Sequence, residues 1–184
     1  ISGIGRLCYR SDKGMMPVCP YFLEDDIPDE KQATGGSGKS IIVKLVVGSA
    51  VNVLDIDMKR MEHINDARFV LGNLLSEPFK YRVLHWEDKQ KGFPMKYFYN
   101  MVTTGLTIEK KNVDQELVPL KDAPKHVITC NYPLSDDDDS TVGRFPLVSF
   151  SNRFARANPQ KRKAARLMSA LMKNFSDKPE EIDD

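Results

Sequence analysis

Apolar residues along this chain come in short runs rich in β-branched and aromatic side chains, each closing on polar or charged residues. Such bounded runs predict strands, and the segments between several of them carry helical spacing. RLCYR and PYFLEDDI (20–27), separated by the turn-rich SDKGMMP, are the first strand candidates. VNVLDID (51–57), YRVLHWED (81–88), KHVITCN (125–131) and RFPLVSF (144–150) follow. MKRMEHINDARFVLGNLLSE reads as mostly helical and stops before Pro78, while KYFYNMVTTG (96–105) predicts a short helix closed by Gly105. LTIEKK and ELVPL flank NVDQ as a hairpin. Further on, PQKRKAARLMSALMKNF (159–175) sets Leu167, Met168, Leu171, Met172 and Phe175 on one helical face, ahead of a frayed acidic tail.

Strands alternating with helices imply a mainly parallel sheet with flanking helices, here with an inserted β-hairpin. In such sheets chemistry collects at the carboxyl ends of strands. Three polar tips fall there: the loop before Lys39, the pair Glu87–Asp88, and Asn131. Residues 1–151 form the expected α/β core, and 152–184 a basic C-terminal helix with its acidic tail.

Composition narrows the picture. The 184 residues suffice for one sizeable core, and 27 basic against 26 acidic residues leave a formal charge of +1, so nucleic acid must be met by local patches. Cys8, Cys19 and Cys130 are odd in number, with no pair at zinc spacing, which fits a reducing, cytoplasmic compartment. No apolar run approaches the ~20 residues of a membrane span. The chain opens at Ile1, which suggests a segment of something longer.

The sharpest chemical signal is ATGGSGKS at 33–40. It satisfies the phosphate-loop pattern of Ala or Gly, four free positions, then Gly-Lys-Ser, and so predicts a P-loop NTPase core. Thr34, Gly35, Gly36, Ser37 and Gly38 would wrap backbone N–H groups around phosphate oxygens, Lys39 would bridge the β- and γ-phosphates of ATP, and Ser40 would hold Mg²⁺. The strand before the loop lies farther away than usual. SIIVKLVVGSA, directly after it, favours a strand by propensity, yet a phosphate loop requires a helix there. Glu87–Asp88 stands where an acidic pair for the metal and the attacking water belongs, with Glu87 near the metal and Asp88 as the group that polarises water. The order Glu-Asp leaves open which acid does which job. Arg82 and His85 make that strand less apolar than a buried parallel strand should be. Asn131 follows VITC, placed to contact the γ-phosphate or the water.

These residues resemble a superfamily-3 helicase, in particular the phage and mobile-element primase-helicases related to the poxvirus-type enzyme. The matching stretches are ATGGSGKS, HWEDKQKGF, VTTGLTIEKKN and APKHVITCNYPL, roughly 33–134, with a looser match upstream at IGRLCY and PYFLEDD. The resemblance implies an AAA+-like core, a homo-hexameric ring moving on single-stranded DNA and ATP bound between subunits, and it leaves open a primase domain in the full-length chain. It implies a bacterial or virus-infected host cell as the setting. By position it makes Lys39 and Ser40 the phosphate-loop residues, Glu87 and Asp88 the acidic pair and Asn131 the sensor. It also sets Lys110, Lys111 and Asn112 on a DNA-contacting hairpin, where ammonium groups can grip successive phosphates.

Where relatives carry an arginine cluster after the sensor, this chain has SDDDDSTVGRF, which leaves Arg144 as candidate for the finger that serves a neighbouring subunit's site, with Arg153 and Arg156 as rivals. The segment 152–173 is basic without an acid and reads as a helix with a solvated basic face or as a grip on DNA. The competing readings are a P-loop assembly switch that hardly hydrolyses nucleotide, and a small-molecule kinase, for which no arginine-rich lid is evident.

Overall fold

The computed structural model describes residues 3–8, 18–25, 37–59, 61, 71–72, 80–109, 114–134 and 138–151. In chain order the strands are β1 (Tyr21–Asp25), β2 (Val53–Asp57), β3 (Val83–Glu87), β4 (Gly105–Ile108), β5 (Glu116–Pro119), β6 (Lys125–Cys130) and β7 (Leu147–Ser151). The helices are α1 (Gly3–Cys8), α2 (Lys39–Ile41) running on as a π-helix over Ile42–Val47, α3 (Lys96–Thr103) and α4 (Asp139–Arg144).

Five strands pair in parallel in the order β2-β3-β6-β1-β7, and β4 and β5 form a separate antiparallel pair. Adjacent residues of each strand face opposite sides of the sheet. Tyr21, Leu84, Trp86 and Ile128 therefore enter one core with Phe98 of α3 and Leu106 of β4. Phe22, Val83 and Val127 enter the other with Leu7 of α1 and Val43 and Val47 of the π-helix. The result is an α/β architecture with helices on both faces of a parallel sheet, as the alternation of elements predicts. Trp86 anchors the first core, edge-on to Phe98 at 5.1 Å, with its indole N–H donating to Nδ1 of buried His126 at 3.0 Å.

Several expectations change. RLCYR is not a strand: Gly3–Cys8 is helical, and Ile4, Leu7 and Cys8 share one packed side, the spacing of a helix. The β-branched run after the loop is helical, as expected there against its propensity, because Val43 and Val47 are fully buried against the sheet. Gly105 does not cap α3; Thr104 does, and Gly105 opens β4 with φ 137°, where a Cβ would meet the Val118 carbonyl oxygen at 2.2 Å. Of RFPLVSF only Leu147 onward is strand: Arg144 ends α4, which is capped by Asp138, whose carboxylate accepts from the Thr141 N–H at 3.0 Å. The anticipated hairpin is present, with Leu106 opposite Val118. Most of the helical segment over 58–77 and all of 152–184 fall outside the described residues. Among the described residues no helix is long and apolar enough to cross a membrane.

Candidate functional site

Parallel pairing brings the carboxyl ends of β1, β2, β3 and β6 to one edge of the sheet. Leu23 is level with Cys130, so the next residues, Glu24 and Asn131, lie side by side. Lys39 reaches both. Its ammonium donates to Asn131 Oδ1 at 2.8 Å, to Ser37 Oγ at 2.8 Å and to Glu24 Oε2 at 3.3 Å. Lys39 is 6% exposed and Glu24 2%. Gly38 makes the approach possible: its φ of 92° is left-handed, and the space where a Cβ would stand is open. Ser40 follows in α2 and is half-buried.

A second polar group lies beneath the same helix. Lys44, on the π-helix, contacts Glu87 Oε2 at 3.2 Å and Oε1 at 3.4 Å, and Asp55 Oδ2 at 3.5 Å. Asp55 Oδ1 lies 2.6 Å from Nδ1 of fully buried His85, whose Nε2 is 3.0 Å from Thr129 Oγ1. Partial burial pulls the Lys44 ammonium downward, but Asp55 and Glu87 outweigh it and hold its pKa above the ordinary lysine value. Burial likewise pushes Asp55 up, and the hydrogen bond and charge of His85, with Lys44, carry it below the ordinary carboxylate value. Donor atoms of Asp55, His85 and Glu87 lie within 4.8 Å of one another, a set able to ligate a metal, and the Lys44 ammonium contacts both carboxylates in this structure.

Gly48 closes the π-helix that carries Lys44. Its N–H donates to the Val43 carbonyl at 3.0 Å, the wider spacing of a π-turn, and a Cβ there would meet the Lys44 carbonyl oxygen at 2.2 Å. Asp88 turns away from Glu87. It has φ 55°, and its carboxylate pairs with Lys59 at 2.6 Å. The turn it begins is tied to β6 by Lys89 N–H to the Thr129 carbonyl at 3.2 Å and by the Cys130 thiol to the Lys89 carbonyl at 3.1 Å.

The structure thus brings together Ser37, Lys39 and Asn131, with Glu87 on the same face of the sheet, and sets Asp88 in a turn of its own. Arg144 is elsewhere. Its carbonyl accepts from the Cys19 N–H at 2.8 Å, at the amino-terminal edge of β1 and β7, opposite to Lys39. Its guanidinium lies 4.9 Å over the Tyr99 ring and donates to the Ser140 carbonyl at 2.8 Å. Thr34, Gly35, Gly36, Lys110, Lys111, Asn112, Arg153 and Arg156 lie outside the described residues. Sequence reasoning missed Glu24, Lys44 and Asp55 as site residues. The polar His85 inside an otherwise buried run was the available signal for the second group.

The sequence matches no family model, and no curated protein matches it. Among solved structures, the C-terminal region of NrS-1 in its apo A form is similar, with a TM-score of 0.53 and 15% identity, covering 88% of this chain and 36% of that one. JCV helicase bound to a thiazolopyridine acetamide is similar to the same degree, with a TM-score of 0.53 and 15% identity over 87% of this chain and 42% of that one. At these identities the likeness is one of fold. The chain spans well under half the length of either neighbour.

Proposed function

We propose that this chain is the P-loop, AAA+-like core of a superfamily-3 helicase, an ATP-hydrolysing motor acting on single-stranded DNA in phage, plasmid or mobile-element replication. The observation that carries the reading is the buried Lys39 ammonium held jointly by Asn131 at the end of β6 and Glu24 at the end of β1. A lysine directly after a left-handed glycine, opening a helix at the strand ends, is suited to the β- and γ-phosphates of ATP. The residues also suit Mg²⁺: the half-buried Ser40, opening α2 at the strand ends, and the Glu87 carboxylate at the end of β3, held by Lys44 in this structure, would hold it. Bound there, the metal would neutralise charge on the phosphates. Lys39 then orients the γ-phosphate, Asn131 holds the attacking water against it, and Asp88 stays on the turn beyond Glu87.

Arg144 stands at the far edge of the sheet from Lys39, so it suits the site of a second copy and not its own. That arrangement fits a ring, which we take to be a homo-hexamer, with Lys110, Lys111 and Asn112 on the DNA. A cytoplasmic setting, a preceding primase domain and a separate basic segment over 152–184 belong to the same proposal. The test is ATP turnover with and without single-stranded DNA. Wild type is expected to be stimulated and Lys39→Ala to lose about 100-fold or more; an unchanged rate in Lys39→Ala would sink the reading.

One observation favours a nucleotide-dependent assembly switch instead: both acids of the pair are engaged by lysines, Glu87 by Lys44 and Asp88 by Lys59. Tight ATP binding with no turnover under conditions where particles assemble would decide for it.

A further inference from the structure

We infer that Glu24 is the proton acceptor for hydrolysis at this site, a catalytic carboxylate on β1 in addition to Glu87 and Asp88. The inference rests on the nucleotide-hydrolysing reading above. Glu24 is 2% exposed, its Oε2 is engaged by Lys39 at 3.3 Å, and its Oε1 is buried with no hydrogen-bond partner among the described residues. Buried polar atoms are nearly always satisfied, and a bare carboxylate oxygen is retained at a cost. The three N–H groups of Lys39 are all spent elsewhere, on Oε2, Ser37 and Asn131, which leaves Oε1 open.

The other two acids offer nothing comparable. Both oxygens of Glu87 face Lys44, and Asp88 is paired with Lys59 at 2.6 Å. Glu24 Oε1 is also in the right neighbourhood, since Lys39 and Asn131 are the groups that would meet the γ-phosphate and the water. A buried carboxylate held by a lysine on one oxygen and open on the other is placed to accept a proton. In the step, the water oxygen bonds to the γ-phosphorus while the bond from that phosphorus to the β,γ-bridging oxygen breaks. ADP keeps the electron pair, and the proton of the water passes to Glu24 Oε1 and from there to the released phosphate.

Glu24→Gln preserves shape and an acceptor for Lys39 but cannot take the proton. In the whole chain with Mg²⁺ and single-stranded DNA, the variant is expected to bind a fluorescent ATP analogue within about threefold of wild type and to lose kcat by on the order of 100-fold. Glu24→Ala should lose turnover similarly and regain part of it with added formate, a rescue that a merely structural partner of Lys39 would not show. Turnover of Glu24→Gln within about threefold of wild type would overturn the assignment. So would loss of analogue binding in that variant, or failure of formate to restore any rate in Glu24→Ala. If wild type itself fails to turn over ATP, the hydrolytic reading falls and Glu24 with it; if Lys39→Ala is dead while Glu24→Gln is active, only Glu24 falls.

Discussion

The Lys39 ammonium donates to the Asn131 side-chain carbonyl at 2.8 Å, joining two residues 92 positions apart in the chain. The bond exists because β1 and β6 are parallel neighbours, which sets the loop after one beside the tip of the other. With Glu24 it forms a buried charged cluster at the edge of the sheet where the proposed chemistry lies.

The first prediction follows from the burial of that cluster. Lys39→Met leaves the Glu24 carboxylate buried without its cation, and removing one partner of a buried pair costs roughly 3–5 kcal/mol. The double variant Lys39→Met/Glu24→Leu should recover most of that loss. Urea midpoints of the wild type, both single variants and the double variant measure it; additive losses would show that the pair is not coupled.

Gly48→Ala should act on Glu87 from a distance. A methyl group 2.2 Å from the Lys44 carbonyl oxygen forces the π-turn to shift, at about 1–3 kcal/mol, and moves the ammonium off Glu87 and Asp55. A lowered melting temperature together with changed ATP turnover is the expected result. The same Ala at Gly143, where a Cβ meets nothing within 4 Å, is the control.

His126 makes the fold sensitive to acid. Burial lowers its pKa from 6.5 to about 4, so in the folded chain it stays neutral where the unfolded chain would take up a proton. Between those two values the unfolded state binds more protons, hence stability is fully present above pH 6.5 and falls as pH drops toward 4, by about 3 kcal/mol in all. Denaturant midpoints across that window should show the slope. His126→Gln, which keeps an acceptor for the Trp86 N–H but does not titrate, should flatten it.

On the proposed ring, Arg144→Ala and Lys39→Ala should each be inactive alone and complement each other when mixed. In an equal mixture half the sites keep Lys39, and half of the neighbours of those sites keep Arg144, so roughly a quarter of wild-type turnover is expected. Absence of recovery at concentrations where wild type is active would remove Arg144 as the residue that reaches across.

Much of the fold was legible because its signals are local. The runs at 83–87, 125–130 and 105–119 are bounded by polar tips and turn residues, and each became the expected strand or hairpin. The N-terminal RLCYR misled because two packed residues three apart, Ile4 and Leu7, make a helix face that a five-residue window cannot display. SDDDDSTVGRF concealed a capped helical turn behind its charge. At the site, Lys39 and Asn131 were readable as motif residues. Glu24 looked like one of several acids ending a strand, and Lys44 like an ordinary surface lysine.

What the sequence determined by itself is the set of elements and their polar ends: short bounded apolar runs make strands, Gly38 turns the chain into the helix that Lys39 opens, and polar residues close the strand ends. What only the tertiary structure decided is which of those ends meet. Parallel order places β1 next to β6, and β2 next to β3, under one helix, so Glu24 partners Lys39, and Asp55 and Glu87 share Lys44. Local pattern carries no information on strand order, because hydrogen-bonded neighbours in a sheet are chosen by the packing of whole faces and not by the residues that end them.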